Sequence, residues 1–333
     1  MRRLVEAGAI VVGKTNLDQF ATGLVGVRSP YGVPRNPFNA DYIPGGSSSG
    51  SAVAVSSGLV SFSLGTDTAG SGRVPAAFNG LVGFKPTRGL VSTAGLVPAV
   101  RSMDCVSIFA LSCNEAQQVL DAIQGPDGDD PYSRSGNPVQ FSPQQFKFAV
   151  PSHLEFHGDS GYAKLFAQAI LKLRQIGGTP VEIDFAPFVE AGAMLYGPWL
   201  AERAAHLEPH FDKMLPVVKE ILEKAKTQTA IDFFKARNRL DELKLKARDT
   251  FKQADVIFVP TAPTIYTVAQ VEKKPVETNN HLGHYTAFAN LLDLAAVSLP
   301  AGMRPDGVPF GVSLIAPAFT DKALLTLGQR FLG

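Results

Sequence analysis

Gly45-Gly46-Ser47-Ser48-Ser49-Gly50-Ser51 and, a short apolar stretch later, Gly65-Thr66-Asp67-Thr68-Ala69-Gly70-Ser71-Gly72-Arg73 are the two runs whose reading decides the fold. Glycine admits backbone conformations closed to other residues and lets N–H groups face an anion, and a serine beside such a turn is a candidate nucleophile. A run of Ser and Gly alone would read as a flexible linker. Here Ala52, Val53, Ala54 and Val55 suit a tightly packed helix from Ser51 to Gly58, Leu59 to Leu64 suits a buried strand, and Arg73 and Pro75 lead into more small residues. The two loops are therefore expected to flank packed structure.

Working outward, Leu4, Val5 and Ala7 lie at helical spacing, and the apolar run Ala9-Ile10-Val11-Val12-Gly13 fits a buried strand. Residues 24–46 are dense in Pro, Gly, Asn and Asp, which is turn chemistry over a long ordered loop. Toward the other end, Phe146 to Val150, Val256 to Val259 and Gly311 to Ile315 read as buried strands. Residues 159–176 read as an amphipathic helix closed by Gly177-Gly178, and residues 213–254 as long, charge-laced helix. Strands separated by helices predict an α/β fold with a mostly parallel or mixed sheet. We take residues 1–333 as a single domain, with no internal repeat.

The 333 residues, 45% hydrophobic and 18% charged, suffice for a large core. A formal net charge of +1 offers no electrostatic footprint for nucleic acid or an anionic membrane, so a small-molecule partner is expected. Cys105 and Cys113 are too few for a disulfide framework, no secretory signal opens the chain, and no run of about 18 apolar residues suggests a membrane span, which together point to a cytoplasmic protein.

The run from Gly45 to Arg88, including Phe78-Asn79-Gly80 and Gly83-Phe84-Lys85-Pro86-Thr87, resembles the signature of the amidase-signature family of serine hydrolases, and the likeness extends over nearly the whole chain. The resemblance implies a large mixed β-sheet covered by helices on both faces. It places the nucleophile on Ser71, a bridging serine held on a cis peptide on Ser47, and oxyanion donors on the backbone N–H groups of Thr68, Ala69, Gly70 and Ser71. In the implied mechanism a neutral lysine draws a proton from the bridging serine, which draws one from the nucleophile and later protonates the departing amine.

In the second half, Leu195-Tyr196-Gly197-Pro198-Trp199-Leu200-Ala201-Glu202-Arg203, Leu282-Gly283-His284-Tyr285-Thr286 and Arg304-Pro305-Asp306-Gly307 resemble the allophanate hydrolase branch of that family. Allophanate carries a carboxylate beside its urea group. The resemblance thus offers Arg203 and Tyr196 as its clamp and Gly23 as a close backbone contact. It also implies a homodimer through the helical region between Lys213 and Ala254.

The sequence departs from the family in one respect. The general-base lysine belongs to a segment upstream of the Ala9-to-Asn16 match, and nothing in this sequence corresponds to it. Lys14 and Lys85 fall at other family positions and are read as structural. The 333 residues are therefore expected to be weak or inactive by themselves. Nor does the sequence contain the second domain of full-length allophanate hydrolases.

Three other readings are set aside. Gly46-Ser47-Ser48-Ser49-Gly50 matches a nucleophile elbow with Ser48 at its centre, but the preceding Asn39-Ala40-Asp41-Tyr42-Ile43-Pro44 is not a buried strand. His206 with His210, and His281 with His284, have ligand-like spacing, yet no cysteine or carboxylate cluster completes a metal site, and no cofactor fingerprint is present. A glutamine-dependent amidotransferase subunit would share the two serines, and a non-catalytic homologue would keep the loops; both stand as alternatives to amide hydrolysis.

Overall fold

The computed structural model describes residues 1–333. One sheet of eight strands runs through it: β1 (Ser63–Asp67), β2 (Val82–Lys85), β3 (Cys105–Ala110), β4 (Phe146–Pro151), β5 (Gly178–Ile183), β6 (Val256–Pro260), β7 (Leu294–Met303) and β8 (Pro309–Pro317). Their spatial order is β1-β3-β2-β7-β8-β6-β4-β5. Only β4 pairs in parallel, with β5 and β6; every other pairing is antiparallel. The sheet is thus mixed, as one branch of the sequence reading has it, and not mostly parallel.

Thirteen helices accompany it: α1 (Arg2–Glu6), α2 (Ser49–Ser56), α3 (Val74–Phe78), α4 (Cys113–Ile123), α5 (Ser160–Gln175), α6 (Ala186–Ala193), α7 (Leu200–Leu207), α8 (Pro216–Glu223), α9 (Ala230–Phe251), α10 (Val268–Lys273), α11 (Glu277–Leu282), α12 (Phe288–Leu291) and α13 (Asp321–Leu332). Alternation along the central hairpin separates two cores. Val297, Leu299, Val312 and Leu314 join the core that packs α4, α5 and α13 through Leu120, Phe166 and Leu324. Ala296 and Ile315 join the opposite core, with Phe188 of α6, Leu243 of α9 and Phe288 of α12. Helix α5 starts where the Asp159 carboxylate accepts the Tyr162 amide, and its buried stripe of Tyr162, Phe166, Ala169 and Leu173 keeps helical spacing.

Two expected strands differ. Residues 9–13 form no strand, and Ile10, Val11 and Val12 are exposed. A β-branched run becomes a strand only where a neighbour pairs with its backbone, and here none does. The strand expected from Leu59 to Leu64 lies further along, at β1, and Leu59 is exposed in the turn after α2. The helix-rich region 213–254 is present but divided, with α8 and α9 joined through a 3₁₀ turn at Lys224–Thr227.

Candidate active site

Strand β1 ends at Asp67, and the chain then turns sharply through Thr68–Gly72 before entering α3. Asp67 organises that turn. Its carboxylate accepts the amides of Gly70 (2.9 Å) and Gly72 (3.1 Å) and forms a fork-to-fork pair with Arg73, Nε and Nη2 each at 2.9 Å. Both side chains are fully buried. Burial alone would push the Asp67 carboxyl up, but the Arg73 charge and hydrogen bonds, the Lys85 charge and the Gly72 amide outweigh it and hold it below the ordinary value.

Opposite the turn, Thr286 donates to the Ala69 carbonyl (2.7 Å), Arg73 donates to the Thr286 carbonyl (3.1 Å), and Asn290 donates to the carbonyls of Asp67 and Met103, both at 2.7 Å. These bonds pin the segment before and into α12 against the loop. The loop's shape also requires glycine at position 70: φ is +128°, and a Cβ there would stand 2.3 Å from Thr286 Oγ1.

The bonding of Asp67 sorts the expected oxyanion donors. The Gly70 amide is taken by Asp67, so Gly70 departs from the donor role expected of it and serves the turn. The amides of Thr68, Ala69 and Ser71 have no acceptor within the chain. Ser71 sits at the close of this turn, 3% exposed.

The first serine loop is fixed against the second from two sides. Asn79 donates to the Pro44 carbonyl (2.7 Å), and Gly45 lies so close to Pro75 of α3 that a Cβ would fall 2.9 Å from its Cα. On the other side, Ser48 Oγ accepts the Thr66 amide and donates to the Thr66 carbonyl, each at 3.1 Å. Between these anchors the Gly46–Ser47 peptide is cis, in agreement with the expectation for Ser47. Ser47 Oγ is sealed from solvent and has no hydrogen-bond partner; the same holds for Ser49 Oγ, so this property alone does not single Ser47 out. Ser48, by contrast, is fully engaged in holding the outer edge of β1.

A third loop, residues 18–28, closes over Ser47. The Asp18 amide donates to the Ser47 carbonyl (3.0 Å) and the Gly46 amide to the Leu24 carbonyl (2.8 Å). Asp18 itself is buried, and its carboxylate accepts the Gly26 and Arg28 amides at 2.9 and 2.8 Å. Burial raises its pKa against the pull of Arg28 and these amides. Gly23 lies in this loop with φ +156°, and a Cβ there would meet Asp18 Oδ2 at 2.8 Å.

Arg203 of α7 reaches the same loop. It is 3% exposed, and its Nη1 donates to Thr22 Oγ1 (2.9 Å) while its Nε is buried without a partner. Burial lowers its pKa, and the nearby Tyr196 and Asp104 raise it. Asp104 ties this region back to the Thr68–Gly72 turn, because its carboxylate accepts the Thr68 hydroxyl as well as the Ala99 and Val100 amides. Tyr196 is half-buried in a 3₁₀ turn, within electrostatic reach of both Arg203 and Arg28. The structure thus brings Ser47, Ser71, Gly23, Tyr196 and Arg203 to one region.

The lysines stand elsewhere. Lys14 is exposed. Lys85 is fully buried on β2, where its Nζ donates to the Pro86 carbonyl (2.9 Å) and to Cys105 Sγ (3.6 Å). Neither bonds to Ser47. His281 Nδ1 pairs with the Tyr266 hydroxyl (2.6 Å), and no group of three or more His, Cys, Asp or Glu side chains is arranged to hold a metal ion.

The amidase family model matches residues 1–325. The chain belongs to the amidase family. Among its relatives, this amidase-family chain is 46% identical to a urea amidolyase of Lachancea kluyveri over 98% of its own length and 18% of that protein. It superposes on the allophanate hydrolase of Kluyveromyces lactis with a TM-score of 0.97 at 43% identity, covering 99% of this chain and 56% of that one. A glutamyl-tRNA(Gln) amidotransferase chain of Thermotoga maritima is further away, with a TM-score of 0.83 and 29% identity over 99% of this chain and 74% of that one. The present chain therefore spans about a fifth of the urea amidolyase and just over half of the allophanate hydrolase.

Several residues that build the site were given no role from the sequence: Asp18, Thr22, Arg28, Asp104, Asn290, and Thr286, which was quoted only as part of a family-like run. All are buried polar residues, a class that is rarely found inside without a partner, but no local spacing announces which partner each one finds.

Proposed function

We propose that the chain carries the acyl-transfer machinery of an amide hydrolase. Ser71 Oγ attacks the amide carbonyl carbon, its proton passing to Ser47 Oγ, and the developing oxyanion rests on the amides of Thr68, Ala69 and Ser71. Donors of this kind contribute about 3 kcal/mol each when well aimed. Ser47 hands its own hydroxyl proton to the leaving amine as it takes the one from Ser71, so it ends as a neutral hydroxyl, and water releases the acyl group from Ser71. The observation that carries the reading is the division of labour at Asp67. Its carboxylate occupies the Gly70 and Gly72 amides, while the amides of Thr68, Ala69 and Ser71 in the same turn have no acceptor within the chain.

The substrate we infer is allophanate. Its carboxylate would be held by Arg203, with Tyr196 and Gly23 beside it; ammonia would leave the terminal amide as Ser71 takes the acyl group, and water would release iminodicarboxylate, whose breakdown gives two carbon dioxide and a second ammonia. The urea amidolyase and allophanate hydrolase relatives support this choice over the amidotransferases, which are more distant. No lysine among these 333 residues bonds to Ser47. The serine pair by itself therefore turns over slowly, since removing one member of such a unit removes most of its rate.

The test is ammonia release from allophanate by the purified chain. Slow release that disappears in Ser71→Ala supports the reading, and release indifferent to that change rules it out.

A further inference from the structure

Two guanidiniums, those of Arg28 and Arg203, lie buried at 3% exposure, and neither forms an ion pair. Asp18 and Asp104 lie within electrostatic reach of Arg28 and Arg203 respectively but bond to neither guanidinium, and each guanidinium has a buried Nε without any acceptor, which is costly. They meet at one residue. Arg28 Nη1 donates to the Thr22 carbonyl (3.0 Å), and Arg203 Nη1 donates to the Thr22 hydroxyl (2.9 Å). Thr22 is itself 1% exposed, and its hydroxyl donates to the Phe20 carbonyl (3.2 Å), which turns a lone pair toward Arg203. The remaining arm of Arg28 holds the Pro275 carbonyl.

Arg203 is consequently used on one edge alone. Its Nη1 is bound to the loop, while Nη2 makes no hydrogen bond and Nε has neither partner nor solvent. The Nε–Nη2 edge is a fork whose spacing matches the two oxygens of a carboxylate. The Asp104 carboxylate nearby bonds to the Thr68 hydroxyl and the Ala99 and Val100 amides, and makes no hydrogen bond to that fork.

We propose that Thr22 is a positioning residue for substrate selection, aiming the free edge of Arg203 at the carboxylate of the substrate, with Arg28 bracing Thr22 from the other side. This rests on the reading of Arg203 as the carboxylate clamp, and adds to it the device that fixes the guanidinium plane. Without the Thr22 hydroxyl, Nη1 keeps only its long bond to the Ala21 carbonyl (3.5 Å), and the guanidinium plane is less firmly aimed at the ligand. Selection between an anionic and a neutral amide then weakens while the Ser71 loop stays intact.

The experiment is calorimetric binding of malonamate and of malonamide to the full chain carrying Ser71→Ala, so that turnover plays no part. The two probes have the same length, and only the first has a carboxylate. We expect malonamate to bind at least ~10-fold tighter than malonamide, a difference reduced ~10-fold by Thr22→Val and restored by Thr22→Ser, with malonamide unaffected throughout. If Thr22→Val does not fold, Thr22→Ala carries the same comparison. Equal weakening of both probes, unchanged malonamate binding in the variant, or no preference in the parent chain would each overturn the proposal. Ammonia release is a separate readout: its failure with the malonamate preference intact would remove the hydrolysis reading alone.

Discussion

Ser48 Oγ lies 3.1 Å from both the amide nitrogen and the carbonyl oxygen of Thr66. One hydroxyl thus does for the outer edge of β1 what a neighbouring strand would do, satisfying a donor and an acceptor of the same residue. Three residues on, Ser51 Oγ donates to the Leu64 carbonyl (2.8 Å) and continues the pattern. The serine run that looks uniform in the sequence is therefore divided by role. Ser48 and Ser51 bind the sheet edge, and Ser47 is left with an unpaired hydroxyl.

This division gives a paired expectation. Ser48→Ala leaves the Thr66 amide and carbonyl without that partner and should lower stability by about 1–3 kcal/mol, while acyl transfer to Ser71 persists. Ser47→Ala deletes a sealed, unpaired hydroxyl and should cost no stability while suppressing acyl transfer. Urea denaturation alongside a turnover assay separates the two, and a reversal of the two phenotypes would refute the assignment.

The Asp67–Arg73 pair should govern acid stability. Its folded pKa is held down, so its contribution is complete above the unfolded value of about 3.9 and is lost as pH falls through the folded value. Asp18 and Asp104 act in the opposite sense. Burial raises both, so the folded state keeps protons that the unfolded state has released, and stability falls as pH climbs from about 4 through their folded values. Denaturation midpoints between pH 2 and 6 should show Asp67→Asn destabilised by about 3–5 kcal/mol at the upper end, with the gap to the parent chain closing toward pH 2. A gap independent of pH would contradict the linkage.

At Gly70 an added methyl group meets Thr286 Oγ1 at 2.3 Å on a backbone with φ +128°. Gly70→Ala should therefore cost more than the about 1–3 kcal/mol of simple overpacking and abolish turnover, because the loop must move away from its Thr286 and Asn290 anchors. Thermal unfolding and the ammonia assay both read this. A variant as stable and active as its parent would show that the loop is not held as described.

Much of this architecture was legible in the sequence because it depends on local signals. The buried strands β4, β6 and β8 and the amphipathic α5 carry their own periodicity and end signals, and the two glycine-serine runs bear a family signature. The misreadings have physical causes. Residues 9–13 have strand-forming side chains without a pairing neighbour, and the Gly70 amide belonged to Asp67, a contact made only once the turn has formed. The braces at Thr286 and Asn290 lie more than 200 positions from the loop they hold, and no pattern within either segment records that meeting.

The central claim is that Ser71 accepts the acyl group, and the most direct test is to trap it there. The mono-p-nitrophenyl ester of malonic acid suits the purpose. Its leaving group departs without needing a proton, and its free carboxylate is the group that Arg203 would hold. After incubation with the 333-residue chain, peptide mapping by mass spectrometry should find the malonyl group on Ser71, absent in Ser71→Ala and retained in Ser48→Ala. A malonyl group on Ser48, or none on Ser71, would contradict the account.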